Sequence, residues 1–580
     1  MTRVHDVQAT TLGRAPADLV LTGGRVLSPA RRALLDRDLV VVDGRIAGLS
    51  EDATAVVGEA TTVVDVDGGV IAPGLVDPHT HLDLHQTIET SYHRVLAGGT
   101  TAIVSEVAAW GPSFGADAVE TLLDATASLP VKVFPTVPPQ PLFDMFEEPW
   151  ATDADEDALR SLLDRDRVVG VGETAWIRIV GRDTPARGLY DAAHDREKVV
   201  TGHGAGCRGD RLQAFATTVD DDHEAIAGAG VLERVTSGIH AVGRYGTIRD
   251  DMAAVGDAYE DLDPAEMSLS TDGMWPRDLV EEGYMDAVLS RAVEAGVDPI
   301  DAVVMATLTP ARHWDLDGLG TLRPGTPADL VVFADLDTFT VERTYVDGEA
   351  VYEGGEPQAP EAPTTTYPDS YTDLVDLDLA PGDLAVPAEA ATDGEVLAIE
   401  YGGGLLTDAT VVSPPESGGT LDAFPPDLLK VALFDRHPRR DGRGFVGFLS
   451  GFGLDRGALA TTLTWETTGV LAVGTNDSDM HHAIATLEGL GGGWAVVADE
   501  TVVATHATPI GATCSRRPVE ETADRYDAVD RALGDLGTTA DRPMLGLQTL
   551  SFVGVPSLKI GFDGYADIRA GEVVGLTPPS

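Results

Sequence analysis

A pair of histidines two residues apart is the first feature of the chain that could do chemistry. Pro78-His79-Thr80-His81 follows the apolar run GGVIAPGLVD, so both imidazoles emerge on one face at the C-terminal end of a predicted strand. Two imidazoles placed in this way can chelate one metal ion. Taken alone, a His-X-His pair is more often a surface or core pair, so the interpretation depends on the rest of the chain.

Four other side chains of metal-binding or acid-base type follow short β-rich runs. They are Glu173 in VVGVGETAW, His203 in KVVTGHGAG, His223 in TTVDDDHEAI and Asp272 in SLSTDG. Either carboxylate by itself is more often a capping or rim group. As a set they indicate one site, because the C-terminal ends of barrel strands meet at a single mouth, where active sites lie.

The elements that must position these side chains form an alternating pattern. From residue 73 to 318, apolar runs alternate with helix-like stretches, as in TTAIVSEVAAW, DAVETLLDATASLP and VKVFPTVPP. This pattern is typical of a parallel α/β sheet, and about 240 residues of it suit a TIM-like (β/α)8 barrel. Short β-rich runs broken by Gly flank it at residues 1–72 and 319–355. They predict the two parts of a small β-sandwich into which the barrel is inserted.

The remaining chain predicts a linker and one more domain. Residues 356–385 are rich in Pro, Thr and Asp and lack sustained periodicity, which is typical of a linker. Residues 386–580 again alternate β-rich runs with helices, which predicts a C-terminal α/β or α+β domain. The fold class is therefore α/β in a multidomain chain, as the length of 580 residues also indicates.

The net charge is the most unusual number of the composition. Forty Lys and Arg residues against 95 Asp and Glu residues give a formal charge of −55. Nucleic acid is excluded as a partner, because phosphate binding needs a basic surface. So large an excess repels itself unless salt screens it, which indicates the cytoplasm of a high-salt organism; an ordinary acidic enzyme is the alternative.

Two features absent from the sequence further limit the classes of protein and of metal site. No signal peptide and no stretch of 18 uninterrupted apolar residues is found, so we expect a cytoplasmic protein without a membrane partner. Cys207 and Cys514 lie far apart in sequence and cannot form a disulfide framework or a Cys-based zinc cage. Any metal site must therefore use His and carboxylates.

Several longer strings match the pattern of a known family. APGLVDPHTHLD and VVMATLTPARHWDLDGLGTLRPGTPADLVVF are similar to the two ends of the amidohydrolase catalytic domain. GHGAGCRGDRLQAFATTVDDDHEAI, STDGMWPRDL and the C-terminal strings GFVGFLSGFGLDRGALATT, VGTNDSDMHHAI and TLSFVGVPSLKI are more specific. Together they resemble the adenine deaminase family of the amidohydrolase superfamily over nearly the whole chain.

The resemblance implies a paired-metal site and a reaction. The first ion would be held by His79 and His81, the second by His203 and His223, with Glu173 as the bridging, catalytic carboxylate. Asp272 would lie against the ions and move protons. Two divalent transition-metal ions are expected, with Mn favoured and Fe or Zn as alternatives. The implied activity is hydrolytic deamination of adenine to hypoxanthine and ammonia, in purine salvage or catabolism.

Three departures from the family pattern affect the substrate contacts. Residues 105–109, SEVAA, stand where the family usually has Asp-Pro-His-Glu, and residues 465–468, WETT, where it usually has His-Asp-Ser-His. Residues 83–85, DLH, replace a common Glu-Ser-Ser. The hydrolytic residues are kept while the pocket changes. The nearest candidates for substrate binding are Glu106, His85 and Trp110.

Other functions stay open at this point. The same metal chemistry would serve another aminopurine or a cyclic amide, although many cyclic-amide hydrolases bridge their metals with a carboxylated Lys and none lies near Glu173. A catalytically inert relative kept for binding or assembly is a third alternative. Retention of all five candidate ligands and of Asp272 argues against it. A homo-oligomer is also left open.

We expect folding to need high salt. Lowering KCl from about 1 M to roughly 0.1 M lengthens the Debye length from about 3 Å to about 10 Å and restores repulsion between carboxylates. Thermal melts across this range should show a falling melting temperature as salt is removed. Melts that coincide at all salt concentrations would refute the halophilic interpretation.

Overall fold

A barrel of eight parallel strands forms the centre of the protein. The computed structural model describes residues 2–143, 155–359, 362, 365–436, 443–555 and 557–579. Each barrel strand pairs with the next along the chain, and the eighth lies beside the first. β-Branched runs such as TTAIVS and VVTGH form these strands because such side chains fit a pleated, buried surface. In order the strands are β1 (Leu75–Thr80), β2 (Thr100–Ser105), β3 (Lys132–Val137), β4 (Gly170–Ala175), β5 (Val199–His203), β6 (Asp221–Asp222), β7 (His240–Arg244) and β8 (Met267–Ser270).

Helices alternate with the barrel strands and cover them. Leu122 of one helix and Leu289 of another are buried in the same core as the barrel residue Ile103. Among the described residues no helix combines the length and the apolarity needed to cross a bilayer. The helices of this region are Ile88–Ala97, Gly111–Phe114, Ala116–Ala125, Glu156–Leu162, Arg187–His194, Asp210–Phe215, Gly228–Thr236, Met252–Tyr259, Pro276–Glu281, Met285–Glu294, Pro299–Met305 and Leu308–His313.

Asp77 ties the first strand of the barrel to the last. Its Oδ1 accepts a hydrogen bond from Ser270 Oγ at 2.9 Å, and its Oδ2 accepts one from Thr271 Oγ1 at 2.6 Å. The backbone N–H of Asp272 donates to the carbonyl of His79 at 3.2 Å. Burial raises the pKa of Asp77, and the hydrogen bonds from Thr271 and Ser270 oppose that rise. The network sets the spacing between β1 and β8, where two candidate site segments lie.

Two sheets beside the barrel form the small β-sandwich. Val70–Pro73, before the barrel, pairs with Leu330–Phe333, after it, so the barrel is inserted in this unit as predicted. Leu21 of the first sheet and Ile71 of the second are buried in one core. The first sheet contains Arg45–Ser50, Asp38–Val42, Leu19–Thr22 and Thr62–Asp65. The second contains Glu356–Pro357, Glu349–Glu353, Val341–Val346, Leu330–Phe333, Val70–Pro73, Arg25–Ser28 and Ala33–Leu35. The helix Thr2–Thr11 packs on the first sheet.

The C-terminal domain is an eight-stranded, mostly antiparallel sheet with a helix on each face. Alternate residues of the strand LLKVALFD face opposite sides, so Val431 packs in the core of one face and Ala432 in that of the other. Helix Asp477–Leu490 covers one face and helix Val519–Asp535 the other. In spatial order the strands are Thr407–Val412, Val396–Tyr401, Gly444–Ser450, Leu428–Asp435, Gly469–Gly474, Ala458–Thr461, Gly493–Ala498 and Thr501–Ala507. The predicted fold class, an α/β barrel with further domains, is confirmed.

Two smaller sheets and a short helix complete the domain. They are the strands Val386–Pro387, Thr420–Leu421 and Glu416–Ser417, the strands Leu558–Ile560, Tyr565–Asp567 and Glu572–Val574, and the helix Pro543–Gln548.

The C-terminal domain packs on the barrel mouth. Its residues Cys514–Ser515 pair in parallel with His85–Gln86, which follow β1. Leu84 is buried in the core of the C-terminal sheet. Arg542 Nη1 donates to the carbonyl of Ile248, on the loop after β7, at 3.4 Å. The ends of the barrel strands are thus covered by the second half of the chain.

The segment predicted as a linker, residues 356–385, packs against both domains. Tyr371 stacks on Phe114 with ring centres 3.7 Å apart, and the N–H of Gly511 donates to its carbonyl at 2.8 Å. Leu384 is buried in the C-terminal core. The segment lacks sequence periodicity because it contains no long helix or strand where it is described, and its boundaries as a domain connection remain a prediction.

Replacing Asp77 with Ala should lower the free energy of unfolding by about 3 kcal/mol, because the buried hydroxyl and backbone N–H of Thr271 lose their acceptor and Ser270 keeps only the His79 carbonyl. Urea denaturation at constant salt measures this loss. Asp220→Ala is the matched control. Its half-exposed carboxylate accepts one backbone N–H, from Val200, and should cost about 1 kcal/mol or less. Equal losses in the two variants would contradict a closing role for Asp77.

Candidate active site

All six side chains that the sequence placed at strand ends come together at the barrel mouth. Each is at most 5% exposed, so the cluster is buried. His79 of β1 and His81, just after it, lie beside Asp272, which follows β8, because β1 and β8 are neighbours. The six are His79, His81, Glu173, His203, His223 and Asp272.

Glu173 lies at the centre of the cluster. Its Oε2 is 3.4 Å from His81 Nε2. Its Oε1 is 3.4 Å from His203 Nε2 and 3.5 Å from His223 Nε2. Each carboxylate oxygen therefore faces a different group of imidazoles, which is the arrangement needed to bridge two cations.

Asp272 faces the first histidine pair and is held by an arginine. Its Oδ1 is 3.5 Å from His79 Nε2 and 3.6 Å from His81 Nε2, and its Oδ2 accepts from Arg244 Nη1 at 2.8 Å. Its backbone has a φ of 55°, a left-handed conformation that non-glycine residues adopt at a cost and that concentrates at functional sites. Burial raises the pKa of Asp272, but Arg244 and His79 override it and hold that pKa well below its usual range.

Arg244 and Glu224 are site residues that the sequence analysis missed. Arg244 Nη1 lies 2.6 Å from Glu224 Oε1, and its Nε donates to Asp251 Oδ2 at 2.7 Å. Glu224 Oε1 is also 3.3 Å from His203 Nε2. Glu224 directly follows His223, and Arg244 ends the run HAVGR, so placement at a strand end was the signal that could have found both.

Glu106 lies behind the first histidine pair. Its side chain is completely buried, with Oε1 3.2 Å from His79 Nδ1. Its Oε2 accepts the backbone N–H of Glu173 at 2.6 Å. A carboxylate on the Nδ1 side orients the imidazole and directs Nε2 towards the cluster. Glu106 therefore supports two candidate ligands, and its predicted contact with substrate stays a prediction.

His85 and Trp110 lie in other aromatic clusters. His85 Nδ1 contacts the Tyr526 hydroxyl, and its ring centre is 4.4 Å from that of Trp275. The ring centre of Trp110 is 5.5 Å from that of Tyr371. Neither residue is among those that line the cavity beside the cluster in the described chain. Their role as substrate contacts stays a prediction that none of these contacts supports.

A cavity adjoins the cluster, and its apolar wall comes mainly from the C-terminal domain. The ring of Trp465 lies 4.9 Å from that of His81, and the ring of Phe552 lies 5.1 Å from that of His203. The cavity therefore has a polar floor beneath a mainly apolar, partly aromatic wall. The residues of the wall are Ile248, Leu405, Trp465, Thr549, Phe552 and Val555.

Glu466 fixes the C-terminal domain to the barrel mouth. Its Oε1 accepts from Gln140 Nε2 at 2.9 Å, and its Oε2 lies 3.3 Å from Arg178 Nη2. Burial raises the pKa of Glu466, against the attraction of Arg178 and with the help of Glu173. The sequence analysis missed Gln140 and Arg178, because both lie outside any motif and meet Glu466 only in the folded chain.

The cluster fits divalent cations by its charge and by its donor atoms. Glu106, Glu173, Glu224 and Asp272 are all buried, and the printed contacts of Arg244 reach Glu224 and Asp272 among them. Such an excess of carboxylates needs positive charge nearby. Burial lowers the pKa of His203, yet Glu224 and Glu173 raise it to about 9, so the site stabilises positive charge. In each of three groups of side chains, the candidate ligand atoms lie within 4.8 Å of one another. The groups are His79, His81 and Glu173; His79, His223 and Asp272; and Glu173, His203 and His223.

Comparisons with known proteins cover the whole chain. Residues 70–351 match the amidohydrolase family, and residues 404–572 match the adenine deaminase C-terminal domain. The adenine deaminase of Methanothrix thermoacetophila is 30% identical over 573 residues, which are 98% of this chain and 98% of that protein. The adenine deaminase of Moorella thermoacetica is 31% identical over 589 residues, covering 99% of this chain and 98% of that protein.

Replacing His203 with Ala should remove one of about two metal ions per chain, because the group around Glu173 and His223 loses an imidazole. Elemental analysis of the purified protein measures the ion content. His240→Ala is the matched control: this histidine stacks on His313 at 4.3 Å, outside the three candidate metal groups, and the variant should keep its metal. A His203 variant with full metal content would contradict the assignment.

Proposed function

The chain belongs to the adenine deaminase family, and from this membership we infer that it converts adenine and water to hypoxanthine and ammonia. One observation carries the inference: a full-length match that includes the adenine deaminase C-terminal domain, together with a buried His and carboxylate cluster at the barrel mouth. Another aminopurine, a cyclic amide or an inert role has no comparable observation in its favour.

Two divalent metal ions complete the proposed site. His79 and His81 would hold the first, His203 and His223 the second, and Glu173 would bridge them. Bound there, the ions would supply Lewis acidity that lowers the pKa of water to about 7 and makes a nucleophile available at neutral pH. Mn is favoured, and Fe or Zn suits the same imidazole and carboxylate donors.

Asp272 is the proposed proton shuttle. Attack of water on C6 of adenine makes this carbon tetrahedral, and the amino group must gain a proton before it leaves as ammonia. Asp272 Oδ1 faces the histidine pair, where it can accept the proton of the attacking water and pass it to the amino nitrogen. Arg244, bonded to Oδ2, prevents the carboxylate from turning away.

The covering domain has a role in the same reaction. Trp465, Phe552 and Val555 line the cavity opposite the cluster and limit the entry of bulk water. In such a site the charged groups act more strongly on the reacting atoms than they would in water. The C-terminal domain is therefore proposed as part of the active site.

The charge supports a further part of the proposal, a high-salt cytoplasm as the working environment. An excess of 55 negative charges costs folding free energy at low ionic strength, and concentrated salt screens it. Activity assays therefore belong in molar KCl.

The metal-loaded protein should release ammonia from adenine, and Asp272→Asn should reduce turnover at least about 100-fold, the low end for a general acid–base group. Ammonia and hypoxanthine are measured in molar KCl with Mn or Fe supplied. Asp335→Asn is the control. It is the same substitution on an exposed turn, where Asp335 Oδ1 accepts the backbone N–H of Thr338, and it should leave turnover unchanged.

Two results would count against these assignments. Near-normal turnover of Asp272→Asn would remove this residue from the mechanism. Failure of the wild-type protein to form hypoxanthine under these conditions would overturn the substrate, and the cyclic-amide alternative would then be tested with the same ammonia assay.

A further inference from the structure

Trp465 is the cavity residue best placed to hold the substrate ring. The reacting C6 of adenine must approach the cluster around His81 and Glu173. The indole of Trp465 lies 4.9 Å from the ring of His81 and 5.9 Å from that of Phe552. A planar base whose C6 reaches the cluster therefore extends along this aromatic wall.

The indole N–H of Trp465 has no hydrogen-bond acceptor among the described residues, although the residue is only 6% exposed. Buried N–H groups are normally paired, because an unpaired one has lost its water without compensation. Trp494 Nε1 donates to the Tyr526 hydroxyl at 3.2 Å, and Trp176 Nε1 donates to the Ala205 carbonyl at 2.8 Å. Among the described residues Trp110 and Trp314 also lack an acceptor, but of these three unpaired tryptophans Trp465 is the one that lines the cavity beside the cluster. Because Trp465 lines the cavity beside the cluster, its unpaired donor points to a ligand that brings its own acceptor.

The backbone holds Trp465 firmly in this position. The next residue, Glu466, has a φ of 55°, a conformation that persists only where its surroundings fix it. Gln140 and Arg178 supply that constraint by contacting both oxygens of its carboxylate. Two loops of the barrel therefore hold the segment that carries the indole against the barrel mouth.

We propose that Trp465 binds the purine: its indole forms one wall of the pocket, and its N–H donates a hydrogen bond to an unprotonated ring nitrogen of the base. Neutral adenine offers such acceptors in both of its rings. The proposal rests on adenine as the substrate and names the residue that recognises it. It also accounts for the departure from the family pattern at residues 465–468, because the segment found there supplies its own polar group, the indole N–H of Trp465.

The test combines one substitution with a series of analogues. In Trp465→Phe the aromatic wall stays and the N–H is lost, so kcat/KM for adenine should fall about 10-fold, mainly through KM, with unchanged metal content. Inhibition constants are then measured for 1-deaza-, 3-deaza- and 7-deazaadenine, each of which lacks one ring nitrogen. In the wild-type enzyme one analogue should bind about 10-fold more weakly than the other two, and in Trp465→Phe this difference should disappear.

Trp314→Phe is the matched control. Its indole is also buried and has no acceptor in the described part of the chain, but it packs against Gly170 at the start of β4, the end of the strand away from the cluster. This variant should leave KM and all three inhibition constants unchanged. A merely structural role for Trp465 would weaken every analogue equally and would leave the difference between them intact.

Several outcomes would overturn the proposal. They are a Trp465→Phe enzyme with the KM of the wild type, an analogue difference that persists in the variant, and a wild-type enzyme that binds all three analogues equally. The last result is measured on the wild-type enzyme, so it tests the proposal even if Trp465→Phe does not fold. Absence of ammonia release from adenine would overturn the proposed function instead, and the analogue constants would still decide the role of Trp465.

Discussion

The burial of several carboxylates in one place is the constraint on which the rest of the structure depends. Glu173 and Asp272 are nearly inaccessible to water, and Arg244 alone does not balance them together with Glu106 and Glu224. Such a cluster is stable only if positive charge lies nearby and every carboxylate is held at a fixed distance. The barrel meets the second condition, because each strand end delivers one or two of the groups to the same mouth.

The C-terminal domain increases the burial of these carboxylates and also shapes the cavity beside them. By covering the mouth with Trp465 and Phe552 it removes water that would otherwise solvate the charges. The same cover gives the cavity its apolar wall. One contact between the domains therefore both removes water from the charged groups and gives the cavity its wall. Glu466 secures this contact through Gln140 and Arg178.

The sequence predicted the barrel and the six clustered groups because both follow local rules. A side chain such as His203 comes at the end of a β-rich run, and the parallel sheet brings such ends together. Contacts between distant segments follow no such rule. The contact of Glu106 with His79 Nδ1 is of this kind, and the predicted contact of Glu106 with substrate stays a prediction. The meeting of Gln140 with Glu466 depends on how two domains dock, which no periodicity encodes.

The docking of the two domains also sets when the enzyme becomes competent during its synthesis. Gln140 and Glu466 are 326 residues apart in the chain, and the bond from Cys514 Sγ to the Asp83 carbonyl spans 431. Contacts this distant form late, after their loops have closed. At ribosomal rates of about 5 to 20 residues per second, the finished barrel waits several seconds or more for its cover. Until then the acidic groups at the barrel mouth lack Trp465 and Phe552, the residues that cover them in the complete chain.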